Sequence, residues 1–145
     1  MGQQQLLLIV LGVIIVGIAI AVGVTMFQSS AVDANRQAVI SDLANLAAKA
    51  QRYYRTPSEL GGGSQSFDNF ALSPLDTGNA NGSYSLTTEQ PTDVNYVKGS
   101  IDPVTNTSGT VYIVGCGKET GNDGTNPVKA YITVTPTSMS TSILN

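Results

Sequence analysis

Few residues in this chain of 145 could do chemistry: it contains no His, no Trp and a single thiol, Cys116. Without imidazole, most routes to metal binding or nucleophilic catalysis are closed, and one cysteine cannot form an intrachain disulfide. Cys116 lies in the strand-like run Val111-Tyr-Ile-Val-Gly-Cys-Gly and reads as a small buried packing residue rather than a reactive thiol. Two loops, Asp76-Thr-Gly-Asn-Ala-Asn-Gly and Gly121-Asn-Asp-Gly-Thr-Asn-Pro, gather oxygen ligands with glycine, the donors that calcium prefers. Neither has the closing Glu of an EF-hand, and the same residues make tight turns, which is the reading adopted. Asn81-Gly-Ser and Asn106-Thr-Ser fit the N-glycosylation acceptor pattern at Asn81 and Asn106, with an unmodified Asn as the plain alternative. No carboxylate pair, Ser/base arrangement or metal-ligand spacing stands out, so no enzymatic activity, cofactor or metal is expected.

Charge divides the chain in two. Residues 1–55 hold four basic and two acidic side chains, whereas residues 56–145 hold three basic against eight acidic ones, a net −5. With no Lys/Arg cluster in the acidic part, nucleic acid is not an expected partner.

The element that dominates is N-terminal. Leu6 to Val24 contains only Leu, Ile, Val, Gly and Ala. As a helix rising ~1.5 Å per residue, this run is long enough to cross a hydrocarbon core ~30 Å thick. It fits a removable secretory signal poorly, because Met1 to Gln5 carries no Lys or Arg and no small-residue cleavage site follows.

From Gln28 to Arg55 there is neither Pro nor Gly, and Val32, Val39, Leu43, Leu46, Ala50 and Tyr54 recur at helical steps. One amphipathic stripe results, with Arg36, Asp42, Lys49, Arg52 and Arg55 free to face water. Pro57 biases Thr56 away from helical dihedrals and three glycines follow at 61–63, so a single helix is expected over about residues 2–55.

Residues 56–145 read as a small domain. Thr56 to Asn81 is expected to be a long irregular connection pinned by Phe67, Phe70, Leu72 and Leu75. Tyr84–Thr87, Val94–Lys98, Thr110–Val114 and Lys129–Thr135 are rich in Val, Ile, Tyr and Thr and separated by turn residues, which predicts an antiparallel meander of four strands. Ile132 and Val134 alternate with Tyr131, Thr133 and Thr135, as in a strand with one buried face. The fold class is therefore α+β: a hydrophobic half-helix (1–27), an amphipathic half-helix (28–55) and a domain with a long loop (56–81) and an antiparallel sheet (56–145).

An apolar helix starting within a few residues of the N-terminus, an amphipathic continuation ending near residue 55, a loop and a small antiparallel sheet resemble the type IV pilin and pseudopilin superfamily. The resemblance spans the whole chain in architecture but only Met1 to Arg55 in sequence character. It implies a subunit held in the inner membrane and then polymerised with copies of itself through the helix. The core contacts would come from Gln5, Leu6, Leu7, Leu8, Ile9, Val10, Leu11, Val13, Ile14, Ile15, Val16, Ile18, Ile20 and Val22. It also implies partners, a prepilin peptidase and the pilus assembly machinery, with processing and methylation at Met1 after loss of a short basic leader. Such a leader would reconcile the basic flank C-terminal to the span, which by itself points that flank to the cytoplasm, with an Asn/Thr/Ser-rich surface of extracellular character.

The chain departs from the family pattern at two places. Gln5 stands where bacterial pilins carry Glu, so the charge pair with a neighbour's N-terminal ammonium is missing and the Gln5 carbonyl offers that ammonium only a neutral, weaker acceptor. Val22 stands at the helix-breaking Pro; Gly12, Gly17 and Gly23 either loosen the helix or serve close helix packing.

Three functions are weighed. The first is a major pilin of an extracellular filament serving adhesion, aggregation or motility. The second is a pseudopilin of a secretion or DNA-uptake machine, and the third a non-assembling membrane-anchored envelope domain.

Overall fold

The computed structural model describes residues 2–95, 102–105 and 109–145. One helix, α1 (Gln3–Arg55), is followed by a 3-10 turn (Ser58–Leu60) and four strands, β1 (Gly82–Thr87), β2 (Val111–Thr120), β3 (Pro127–Val134) and β4 (Met139–Ile143). The strands form one antiparallel sheet in the order β1-β2-β3-β4. At ~1.5 Å per residue α1 is ~80 Å long. Only its second half touches the sheet.

The stripe read from the sequence forms the core. Val39, Leu43, Leu46, Ala47 and Ala50 are buried against the sheet face made of Tyr84, Leu86, Val111, Ile113, Ala130, Ile132 and Val134. Each fully buried Val or Leu contributes about 1.5–3 kcal/mol, so this seam is what holds helix and sheet together. Glycine lets the two elements approach: a Cβ on Gly115 would lie 2.7 Å from Val39 Cγ1 and 3.2 Å from Tyr84 Cε1. On Gly117 it would run into Asn35 Oδ1.

The helix stops where Pro57 requires it. Thr56 is extended (φ −79°, ψ 133°), and its N–H and hydroxyl both bond the Arg52 carbonyl, at 3.0 and 2.8 Å. The glycine run then folds back as a cap. Gly63 N–H donates to Tyr53 O at 2.9 Å and Gln65 N–H to Tyr54 O at 2.8 Å, so these two carbonyls of the last turn are satisfied. Tyr53 packs in a tilted ring pair with Phe70 (ring centroids 5.4 Å apart) and Tyr54 with Phe67 (4.9 Å), which pins the connection to the helix end.

Several expectations are corrected. Phe67, Phe70 and Leu72 are buried as pins, but Leu75 is 88% exposed. Val94 and Asn95 form a turn rather than the start of a strand; the remainder of the expected strand, residues 96–98, lies outside the described residues. The fourth strand is instead β4, a Ser/Thr segment whose strand character comes from pairing with β3. β2 runs on to Thr120 through Gly115 and Gly117.

Cys116 is only half-buried. Odd-numbered positions of β2 face the helix, so Cys116 points to the opposite face. That second face is also covered in part, by Gln90, whose side chain donates to the Tyr131 hydroxyl at 3.1 Å. Tyr131 is accordingly buried, and β3 has apolar side chains on both faces.

Candidate functional site

Two surfaces of α1 differ completely in their partners. From Leu6 to Phe27 every large apolar side chain is exposed, from 48% at Leu11 to 78% at Phe27, whichever way it points around the axis. Among the described residues, none of its large apolar side chains is buried against another part of the chain. Its most apolar window of 18 residues has a mean hydropathy of 3.2 and none of it is buried, so the helix is long and apolar enough to cross a membrane. Every backbone group within it is satisfied by the helix itself, which lipid or a sheath of other helices would both tolerate.

Within this segment Gln5, Leu6, Leu7, Leu8, Ile9, Val10, Leu11, Val13, Ile14, Ile15, Val16, Ile18, Ile20 and Val22 lie on all sides of one uninterrupted helix. The helix is also unbroken at Gly12, Gly17 and Gly23, and a Cβ at any of the three would meet open space. Thr25 Oγ1 bonds back to the Val22 carbonyl at 2.8 Å, so a hydroxyl at the polar boundary is satisfied locally.

At the N-terminus Gly2 is the cap residue. It supplies no side-chain bond, no acidic residue occupies the first turn, and Gln5 N–H bonds Gly2 O at 3.0 Å. The first-turn N–H groups therefore present partial positive charge with only Gln side chains beside them. Met1 and Asn106 lie outside the described residues.

Below Val32 the helix is fastened by polar nodes. Asp42 Oδ2 accepts from the Tyr84 hydroxyl (2.6 Å), Asn79 Nδ2 (2.8 Å) and Asn81 Nδ2 (2.8 Å). Burial tends to raise the Asp42 pKa, but the hydrogen bonds from Asn81, Tyr84 and Asn79 outweigh it and hold the carboxyl below its ordinary value. Burial pushes the Tyr84 phenol up, and the Asp42 bond and charge push it further.

Asn35 forms the second node. Its Nδ2 donates to Asn81 O (2.9 Å) and its Oδ1 accepts from Lys118 N–H (3.2 Å). Arg36 donates to Asp33 Oδ1 (2.6 Å) and to the Asn145 carbonyl (3.2 Å), and Lys49 pairs with Asp76 at 2.6 Å. Above these nodes, where α1 leaves the sheet, an open groove of about 650 Å³ separates Thr25–Val32 from the β2–β3 hairpin at Glu119–Gly124.

The two oxygen-rich loops are turns. Asn79 Oδ1 accepts from Asn81 and Gly82 N–H (2.8 and 3.0 Å), and Asp123 Oδ1 from Thr125 and Asn126 N–H (3.1 and 3.0 Å). Asn81, which fits the glycan-acceptor pattern, is half-buried and uses its amide nitrogen on Asp42, so a glycan there would have to displace that bond.

Asp42 was expected to face water, and the sequence did carry a signal against that. It stands three residues after Val39 and four before Leu46, on the edge of the stripe itself. Asn35, three after Val32 and four before Val39, sits the same way.

No family model matches the chain, and no curated protein or solved structure matches it either. The two halves of the helix carry the functional reading: one is fastened to a sheet by hydrogen bonds and packing, and the other is apolar on every side and covered by none of the described residues.

Proposed function

We propose that the protein is the structural subunit of an extracellular type IV pilus-like filament, polymerising through its N-terminal helix. One observation carries the reading: a single unbroken helix is apolar and exposed over its first half and packed against a folded domain over its second. A helix whose only task was anchoring would not need that unbroken continuity; a helix that must pass from lipid into an array of copies while carrying its domain does. Before assembly the inner membrane covers the segment. After assembly identical segments cover one another, and heterologous contacts that do not close into a ring generate an open filament.

In this reading Leu6 to Val22 supply the filament core, Gln5 accepts a hydrogen bond from a neighbour's N-terminal ammonium, and the sheet domain faces outward for adhesion, aggregation or motility. A prepilin peptidase would expose Met1, which would then be methylated, and the pilus assembly machinery would extract the subunit from the membrane.

Cryo-electron microscopy of material sheared from cells, with mass spectrometry of the constituent's N-terminus, tests this. Long filaments containing the chain with a processed Met1 are the expected result. Protein found only in the membrane fraction without polymer would overturn it in favour of an anchored domain, and short periplasmic assemblies would favour a pseudopilin.

A further inference from the structure

The sheet has two edges, and they are treated differently. The outer edge of β1 is closed by the preceding loop: Tyr84 N–H bonds Thr77 O at 2.9 Å, Asn79 N–H bonds Gly82 O at 2.9 Å, and Gly78 bridges Ser83. β4 pairs with β3 on one side, and among the described residues nothing pairs with its other side. Proteins ordinarily blunt such an edge with Lys, Pro or a bulge. β4, Met-Ser-Thr-Ser-Ile, has none of them, and no charged residue occurs between Lys129 and Asn145.

The hydrogen-bond phase is fixed by the bonds flanking the strand. Thr135 N–H donates to Ser138 O and Leu144 N–H to Lys129 O, both at 2.9 Å. With the register Val134↔Met139, Ile132↔Thr141 and Ala130↔Ile143, the main-chain groups of Ser140 and Ser142 point at β3, and those of Met139, Thr141 and Ile143 point outward. The side chains of these three share the face of Val134, Ile132 and Ala130, the helix-facing core. Met139 is nevertheless 46% and Ile143 52% exposed; outside α1, the other exposed large apolar side chains among the described residues are Leu60 and Leu75.

We propose that the open edge of β4 pairs antiparallel with β4 of a second copy, about a two-fold axis at Thr141. The strand is complementary to itself in that register and in that phase. Thr141 meets Thr141 as a hydrogen-bonded pair, Met139 meets Ile143 on either side, and all three pairs use the main-chain groups that point outward. The apolar Met–Ile contacts extend the core face across the junction, and no charge opposes a like charge.

The same axis reverses α1, which lies against the sheet, so the bare apolar halves of the two copies project in opposite directions. Two copies anchored side by side in one membrane cannot make this contact. It joins subunits of oppositely directed filaments, or domains carried on facing membranes, and is a lateral, self-associating surface separate from helix polymerisation.

The test uses the full chain with Cys116→Ser, in detergent micelles and on cells. Thr141→Cys is expected to form a disulfide-linked dimer on mild oxidation in far higher yield than the exposed control Thr88→Cys, because a cross-strand pair ~5.5 Å apart at Cα lies within disulfide range. Thr141→Lys, which opposes two ammonium groups on the axis, is expected to weaken the pairing at least about tenfold with an unchanged melting curve by circular dichroism. On cells it should leave single filaments and remove their bundles. Equal cross-linking of the Thr141→Cys and Thr88→Cys proteins, or undiminished association of Thr141→Lys, overturns the interface. Specific cross-linking without any filament would sustain the interface and count against the filament reading instead.

Discussion

Asp42 and Tyr84, 42 residues apart, are joined by a 2.6 Å hydrogen bond in which the phenol donates to the carboxylate. The bond crosses from α1 to the first strand beside the seam of Leu43 and Leu86. Since Asn79 and Asn81 donate to the same oxygen, Asp42 ties the helix to both the strand and the loop that precedes it.

Removing one partner at a time should expose this coupling. Tyr84→Phe is expected to cost about 1 kcal/mol and Asp42→Ala about 1–2 kcal/mol, the larger loss reflecting three orphaned donors. Urea unfolding of the full chain in detergent would read both, and the double variant should lose less than the sum.

The same carboxylate predicts an acid sensitivity. Its folded-state pKa is depressed, so its stabilisation is complete above the unfolded carboxyl value of about 4 and is lost as pH falls through the lower folded value. Unfolding midpoints measured on the acid side should therefore fall less steeply for Asp42→Asn than for the wild type.

Gly115 marks the closest approach of sheet to helix. Gly115→Ala places a Cβ 2.7 Å from Val39 Cγ1 and 3.3 Å from Leu43 Cδ1 and is expected to destabilise by about 1–3 kcal/mol. Adding Val39→Ala should restore part of the loss, visible as a higher melting temperature than the separate effects sum to.

A charge in the bare segment should separate assembly from folding. Ile15 is 57% exposed and far from the sheet. Ile15→Lys is expected to abolish filaments and weaken membrane insertion by about 3 kcal/mol. Hydrogen exchange should show β2 and β3 protected as in the wild type; loss of that protection would show that the domain needs the apolar half to fold.

Gln5→Glu restores a carboxylate at the helix N-terminus, where the dipole favours it. Filaments are expected to form as well as or better than the wild type's, scored by microscopy after shearing. Their loss would rule out Gln5 as an acceptor for a neighbour's ammonium.

The sequence by itself determined the helix and its division. Helical spacing and the absence of Pro and Gly between Gln28 and Arg55 are local properties, as is the stop at Pro57, and the unbroken apolar run from Leu6 to Val24 is long enough as a helix to cross a hydrocarbon core. The strands around Tyr84, Ile113 and Ile132 were legible for the same reason, as dense runs of β-branched and aromatic residues.

Tertiary structure decided what depends on partners distant in the chain. Met139–Ile143 is a strand because β3 offers its hydrogen bonds, although its Ser and Thr carry little strand signal. Cys116 is turned away from the helix because the sheet's register sends alternate residues of β2 to opposite faces, and Leu75 is exposed because the turn that carries it lies outside the sheet. Asp42 became a structural acceptor because the loop at Asn79 and Asn81 folds over it, a contact across 37 and 39 residues that no local pattern encodes.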